Sequence, residues 1–252
     1  MTFIADGHIH LYSSFQLDSL FLNAHRHLIQ LGSAQSYLLF TVEPQGQFEF
    51  DKIPTRVTES IIVTKTSDQN VLKLKTQHGE NLFVVAGRQI VSKERLEFLA
   101  LFCREDIPDG LSIEELSKRV AAANAIFVLN WAPGKWMFSR SKIVDNLLKH
   151  FSPKKLLLCD TALRFYGWSE PKQMREARER GFKIIAGTDP FPIKGEEQRV
   201  GKYGFASLQD SDFREALFKG NLEVMGKRLL PHQTLWRVVL LAIINRFTPN
   251  TV

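Results

Sequence analysis

Thr2-Phe3-Ile4-Ala5-Asp6-Gly7-His8-Ile9-His10 lies at the start of the chain. Its first residues are a short apolar run and read as a strand. Side chains alternate along a strand with period two, so His8 and His10 leave the same face, side by side. Two imidazoles on one face at a strand end make half of a metal site. What the later strands carry at their ends decides whether that half is completed.

Downstream, Leu17, Leu20, Phe21, Ala24, Leu28 and Leu31 share one stripe of a helix over 17–31, which Gly32 stops. Ser36 to Val42 reads as a second strand, which gives a β-α-β start with a parallel pair. Residues 43–57 read as loop, with Pro44, Gly46 and Pro54. Ser60 to Lys65, Val71 to Thr76 and Leu82 to Ala86 are β-rich runs separated by turn residues, Ser67-Asp68-Gln69-Asn70 and His78-Gly79-Glu80-Asn81. They predict a β-hairpin insertion around 58–80, with the third run rejoining the main sheet. Ser92 to Cys103 reads as helix. Ser112 with Glu115 is a capping box that opens another helix. Strands are expected at 125–130, 155–160 and 182–187. Helices are expected at 139–150, 170–180 and 210–219, with an apolar one at 232–248.

Strands alternating with helices predict a mainly parallel sheet in one α/β domain spanning 1–252, either a β/α barrel or an open doubly wound sheet. The first strand carries no G-x-G-x-x-G, so no dinucleotide site is expected. The 252 residues, 44% hydrophobic and 24% charged, suit a globular protein with a full core. Cys103 and Cys159 have no CxxC partner, which points to a reduced compartment rather than a disulfide framework. With no apparent signal peptide and no run long enough to span a membrane, the expected location is cytoplasmic. The net charge of +6 comes from scattered residues and reads first as a solvated surface. In the last helix, Leu235, Trp236, Val239, Leu240, Ile243 and Phe247 make a broad apolar stripe. Three roles are open to it: packing on the body of the domain, a homodimer contact, or lying on a membrane, in that order.

Polar residues follow nearly every expected strand. They are Asp6, His8 and His10, then Thr41 and Glu43, then Arg88 and Gln89, then Asn130 and Trp131, then Asp160, then Thr188 and Asp189. Functional groups gather in this way at the carboxyl ends of barrel strands.

These segments resemble the polymerase and histidinol phosphatase (PHP) family of metal-dependent phosphoesterases. Asp6-Gly7-His8-Ile9-His10 matches the family's opening Asp-x-His-x-His. Val85-Ala86-Gly87-Arg88-Gln89-Ile90 is similar to its Gly-x-Glu segment, and Asn130-Trp131-Ala132-Pro133-Gly134 to its His-Pro-Gly segment. Ala186-Gly187-Thr188-Asp189-Pro190-Phe191-Pro192 is similar to its Gly-Ser-Asp-Ala-His segment, and Gly201-Lys202-Tyr203-Gly204 follows at a suitable distance. The resemblance implies a distorted, seven-stranded PHP-like β/α barrel and a multinuclear metal centre. Several of the implied ligands are missing. The second strand has Glu43 and no His, Gln89 stands for the Glu, Asn130 and Trp131 stand near the third His position, and Phe191 replaces the last His.

His8, His10 and Asp189 remain as implied ligands, with Asp160 as a further candidate. Two histidines and a carboxylate suffice for one divalent ion, Zn, Mn or Fe. Asp6 is expected to hold a histidine N–H. Asp189 or Asp160 is the candidate general base, Gln89 and Asn130 orient water or substrate, and Arg88 and Lys202 contact a phosphate. The function expected is hydrolysis of a small phosphorylated substrate at a mononuclear centre. The alternative is a catalytically silent barrel that binds a ligand or a protein. Nucleic-acid processing rests only on charge and on the family's polymerase-associated members.

Overall fold

The α/β alternation is present in the computed structural model, which describes residues 2–76, 81–208 and 212–247. β1 (Phe3–Ile9), α1 (Leu17–Leu31) and β2 (Ser36–Thr41) open the chain. α2 (Glu49–Arg56), β3 (Ile61–Lys65), β4 (Val71–Thr76) and β5 (Asn81–Val85) follow. Next come β6 (Gly87–Val91), β7 (Glu97–Leu101), α3 (Ile113–Ala122), β8 (Ile126–Asn130), α4 (Ser139–His150), β9 (Leu157–Thr161) and α5 (Lys172–Glu179). The chain ends with β10 (Ile184–Gly187), a 3₁₀ turn (Glu196–Arg199), β11 (Tyr203–Ser207), α6 (Phe213–Lys219), β12 (Leu222–Gly226) and α7 (Pro231–Phe247).

The ladders form two sheets, β12-β11-β1-β2-β5-β4-β3 and β10-β9-β8-β7-β6. The closed seven-stranded barrel expected from the sequence is not found. An apolar layer joins the sheets, with Phe3, Leu38, Phe40, Leu99, Val128, Leu157, Ile185 and Phe205 drawn from both of them. Helices α1 and α2 cover one outer face through Leu20, Phe21, Leu28, Phe50 and Ile53. Helices α3, α4 and α5 cover the other through Leu116, Val144, Leu147 and Met174.

The sheets meet along two seams. At the first, β1 pairs with β11 only over Phe3 to Ala5 and then lies against β10. There the Asp189 N–H donates to the His8 carbonyl at 2.8 Å. Gly187 makes that approach: a Cβ on it would lie 2.2 Å from the His8 nitrogen. At the second seam, Glu43 bridges to Arg88 beyond the end of β2. Here a Cβ on Gly87 would lie 2.6 Å from the Thr41 carbonyl oxygen.

Four expectations need correction. Ser92 to Cys103 is not a helix, because Glu97–Leu101 is strand β7, paired antiparallel with β6 and β8. A short apolar run has no decisive period, and the hairpin turn rests on Arg95 at φ 61°. Residues 49–56, read as loop, form α2 with Pro54 inside it, held down by buried Phe50 and Ile53. Strands β11 and β12 were not expected; they pair antiparallel at the edge of the larger sheet. On α7, Leu235, Trp236, Val238 and Val239 are exposed, so these four do not pack on the body of the domain. Among the described residues no helix is long and apolar enough to cross a membrane. The insertion contains the hairpin β3–β4. Its residues 77–80, the first two of the helix expected at 210–219, and residue 248 lie outside the described residues.

Candidate metal centre

The bulge in β1 between Asp6 and Ile9 turns His8 and His10 toward the first seam. Their Nε2 atoms lie 3.2 Å apart. The Oδ1 of Asp189 is 3.5 Å from the Nε2 of His8 and 3.6 Å from that of His10. All three side chains are buried and offer ligand atoms that could hold one metal ion. The Oε1 of Gln89, from β6, stands 3.1 Å from the Nε2 of His8. With metal bonds of about 2.0–2.1 Å, the edge of a tetrahedral ligand shell is about 3.3–3.4 Å. The separations of the other three atoms from the Nε2 of His8, and of Asp189 from His10, fall near that spacing.

The tautomer of His8 is set at its other ring nitrogen. The Nδ1 of His8 lies 3.2 Å from the Oδ1 of Asn130. The amide nitrogen of Asn130 donates to Glu97 at 3.2 Å. Asn130 therefore presents an oxygen to His8, the imidazole proton sits on Nδ1, and Nε2 is a bare lone pair. The Nε2 of His10 and the oxygens of Gln89 and Asp189 stand around it, and a cation there would draw on all four. The donor set of two imidazoles, a carboxylate and an amide oxygen fits Zn, Mn or Fe. His10 is held less firmly, for its Nδ1 is buried without a partner among the described residues.

The electrostatics keep the donors in their binding forms. Burial lowers the His8 pKa, against the pull of Asp189 and Glu97, so the ring stays neutral. Burial raises Asp189, but His8 and His10 beside it outweigh that and hold it below the usual carboxylate range. Arg199, on the 3₁₀ turn, lowers it further.

Other predicted site residues have different work. Asp6 does not hold an imidazole N–H. It accepts from the backbone of His8 at 3.2 Å and from those of Thr188 and Gly201, each at 2.8 Å, and from the Thr188 hydroxyl. It therefore fastens β1 to the segment after β10, and burial pushes its pKa up to about 6 against those hydrogen bonds. Asp160 is consumed by Arg164, at 2.8 and 2.5 Å, and by the Tyr203 hydroxyl at 2.7 Å, which leaves it unsuited to metal or base. Arg88 is buried, and its terminal nitrogens donate to Glu43, Asp106 and the Pro44 and Gln47 carbonyls at the other seam. Glu43 accepts from the Phe50 N–H at 2.6 Å, at the start of α2, and is not brought to the histidines. Lys202 is exposed, and its charge acts on His27. Phe191, in the place of the family's last His, packs on Leu163 and Leu229.

Glu97 and Lys135 escaped the sequence reading. Lys135 pairs with Glu97 at 3.1 Å. The register of β7 against β8 sets Glu97 opposite Asn130, and reading 92–103 as helix hid that pairing. A cavity of about 920 Å³ among Phe127, Phe151, Phe218 and Lys154 opens at the amino end of β8, away from these residues.

No protein-family model matches the sequence, and no curated protein matches it. Solved structures do. The lesion-specific endonuclease PfuEndoQ from Pyrococcus furiosus is similar, with a TM-score of 0.53 and 14% identity over 89% of this chain. The match spans only 58% of the endonuclease. PsfC from Pseudomonas syringae gives a TM-score of 0.52 at 13% identity, over 97% of this chain and 98% of PsfC. Endonuclease Q in complex with a 27-mer duplex substrate carrying an abasic lesion gives 0.51 at 13% identity, over 89% of this chain and 58% of that one. At such identities the likeness concerns the fold alone, which the chain shares with endonuclease Q and PsfC.

Proposed function

We propose that the chain is a metal-dependent hydrolase of phosphoesters with a mononuclear centre held by His8, His10 and Asp189, with the Gln89 amide oxygen as a fourth donor. The observation that carries this reading is the gathering of the His10 Nε2, the Gln89 Oε1 and the Asp189 Oδ1 around the bare Nε2 of His8, at 3.1–3.5 Å. A bound divalent ion supplies Lewis acidity: it lowers the pKa of a coordinated water toward neutrality and polarises a phosphoryl oxygen. The residues of the chain prepare for that chemistry. Asn130 keeps the His8 proton on Nδ1. Asp189, held below the usual carboxylate range, stays ionised and acts as a ligand rather than a base. Asp6 holds the backbone on which His8 and Asp189 stand.

A nucleic-acid phosphodiester is the second reading. Its support is the net charge of +6 and the fold shared with an endonuclease seen on duplex DNA. Strongly salt-dependent binding would separate it from a small phosphoester.

The test is elemental analysis of the purified chain beside His8→Ala, followed by hydrolysis of bis-p-nitrophenyl phosphate with added Zn, Mn or Fe. The expected outcome is about one ion per wild-type chain, none in the variant, and metal-dependent hydrolysis by the wild type alone. Equal metal in both proteins would overturn the centre. Metal without hydrolysis of any phosphoester would favour a silent ligand-binding domain.

A further inference from the structure

We propose that Lys135, Glu97 and Asn130 form a positioning relay that fixes the tautomer of His8 and so sets the affinity of the centre for its ion. The second half of this statement rests on the metal-centre reading; the first half does not.

The relay begins in strand register. β7 and β8 run antiparallel with Glu97 directly opposite Asn130. Both side chains point inward at the same level, and the amide nitrogen of Asn130 donates to one oxygen of Glu97 at 3.2 Å. The other Glu97 oxygen pairs with Lys135, on the loop after β8, at 3.1 Å. A carboxylate accepts and cannot donate, so it selects the amide orientation that turns the NH₂ toward it. The Asn130 oxygen then faces His8 Nδ1 at 3.2 Å and must receive a proton from it. Nε2 is left bare toward His10, Gln89 and Asp189. With the amide reversed, its NH₂ would face His8 and its oxygen would face Glu97. His8 would then carry its proton on Nε2, and the lone pair that the centre needs would be lost.

The arrangement is graded in exposure. The side chain of His8 is 1% exposed, that of Glu97 16% and that of Lys135 29%. A buried tautomer is thereby governed from a partly exposed ion pair. Metal-bound histidines are usually oriented by such a partner on the second ring nitrogen, and its loss costs about 10–100-fold in affinity. Here the partner is a neutral amide, which could turn either way. Glu97 removes the ambiguity.

The experiment records long-range ¹H–¹⁵N correlations of the imidazoles in the metal-free full chain, with Zn²⁺ titration by calorimetry alongside. It compares wild type, Glu97→Ala, Glu97→Gln and Lys135→Ala. The wild type should give a single His8 tautomer protonated on Nδ1. Glu97→Ala should give a mixed or Nε2-protonated His8 and weaken Zn²⁺ binding about 10–100-fold, while the His10 signals stay in place. Glu97→Gln, whose amide oxygen still accepts from Asn130, should keep the wild-type tautomer. Lys135→Ala should fall between the two, and it keeps the test available if Glu97→Ala does not fold. An unchanged Nδ1-protonated His8 in both Glu97→Ala and Lys135→Ala would overturn the relay. A changed tautomer with unchanged Zn²⁺ affinity would overturn its link to the ion. Wild-type protein that binds no Zn²⁺ would sink the metal-centre reading, and the tautomer spectra would still decide the relay.

Discussion

The two seams between the sheets solve the same problem in opposite ways. Each closes over a glycine, Gly187 or Gly87, and each brings acceptor atoms into a buried place. At the Glu43 seam the chain supplies its own cation. Arg88 meets the Glu43 carboxylate, the Asp106 carboxylate and two carbonyls, so its two terminal nitrogens are matched to acceptors already there. At the His8 seam the chain supplies two imidazoles, a carboxylate and an amide oxygen, and among the described residues no arginine or lysine pairs with them. β6 serves both seams at once: Arg88 faces one and Gln89, on the opposite face of the strand, faces the other. The difference separates a structural ion pair from a site. A buried cation with its acceptors in hand belongs to the fold, whereas converging lone pairs call for a cation from outside.

The largest effect expected of this contrast is at Arg88. Arg88→Met keeps much of the aliphatic volume and takes the guanidinium away from Glu43, Asp106 and the Pro44 and Gln47 carbonyls. Removing one partner of a buried pair costs about 3–5 kcal/mol, and urea denaturation at pH 8, where Glu43 is ionised, should show a loss of that size. A loss below about 1 kcal/mol would mean that the guanidinium does not hold this seam.

The sequence made one seam much easier to read than the other. His8 and His10 announce themselves by period two in a strand, and Asp189 by its place after an apolar run. Their meeting needed only the rule that strand ends gather. Arg88 and Glu43 also follow strands, so the same rule marked them for the site. What sets them apart is the direction of each side chain and the presence of Asp106 and two carbonyls, which only the folded backbone determines. Asp160 misled for the same reason, since its partners Arg164 and Tyr203 come from a loop and from a strand that the sequence reading did not expect. Glu97 was hidden by one wrong element: in a helix it would not stand opposite Asn130. The barrel was over-read, because strand order and the number of strands do not determine where a ladder breaks.

The seams should also respond to pH in opposite directions. Burial, against the Phe50 N–H and Arg88, raises Glu43 from 4.5 to about 7. The folded chain therefore holds this proton more tightly than the unfolded chain. The stability so gained is complete below pH 4.5 and is lost as the pH rises through about 7, by an amount on the order of 3 kcal/mol. Glu43→Gln cannot ionise and should lack that slope. Denaturation curves from pH 4.5 to 8 should show the variant gaining on the wild type. Parallel curves would count against a buried, proton-holding Glu43. His8 acts with the other sign: its lowered pKa makes stability fall as the pH drops below 6.5, where the unfolded ring takes up a proton that the folded one refuses.

The smallest expected effect bears most directly on what the His8 seam is for. An ion that binds only the folded chain stabilises it by RT ln(1 + [L]/Kd), about 2.7 kcal/mol at a hundredfold excess over Kd. In a chain of this size that amounts to a rise in Tm of about 5–10 °C. The gain arises because the ion would join β1 to the segment after β10 and to β6, across a gap where lone pairs now face one another. Asp189→Ala removes the only charged donor and the atom 3.5–3.6 Å from both imidazoles, so its Tm should hardly respond to Zn²⁺. Arg88→Met, far less stable at the start, should still show the full rise, since its damage lies at the other seam. Equal rises in wild type and Asp189→Ala would mean that Zn²⁺ stabilises the chain from somewhere else, and that the His8 seam is held together without an ion.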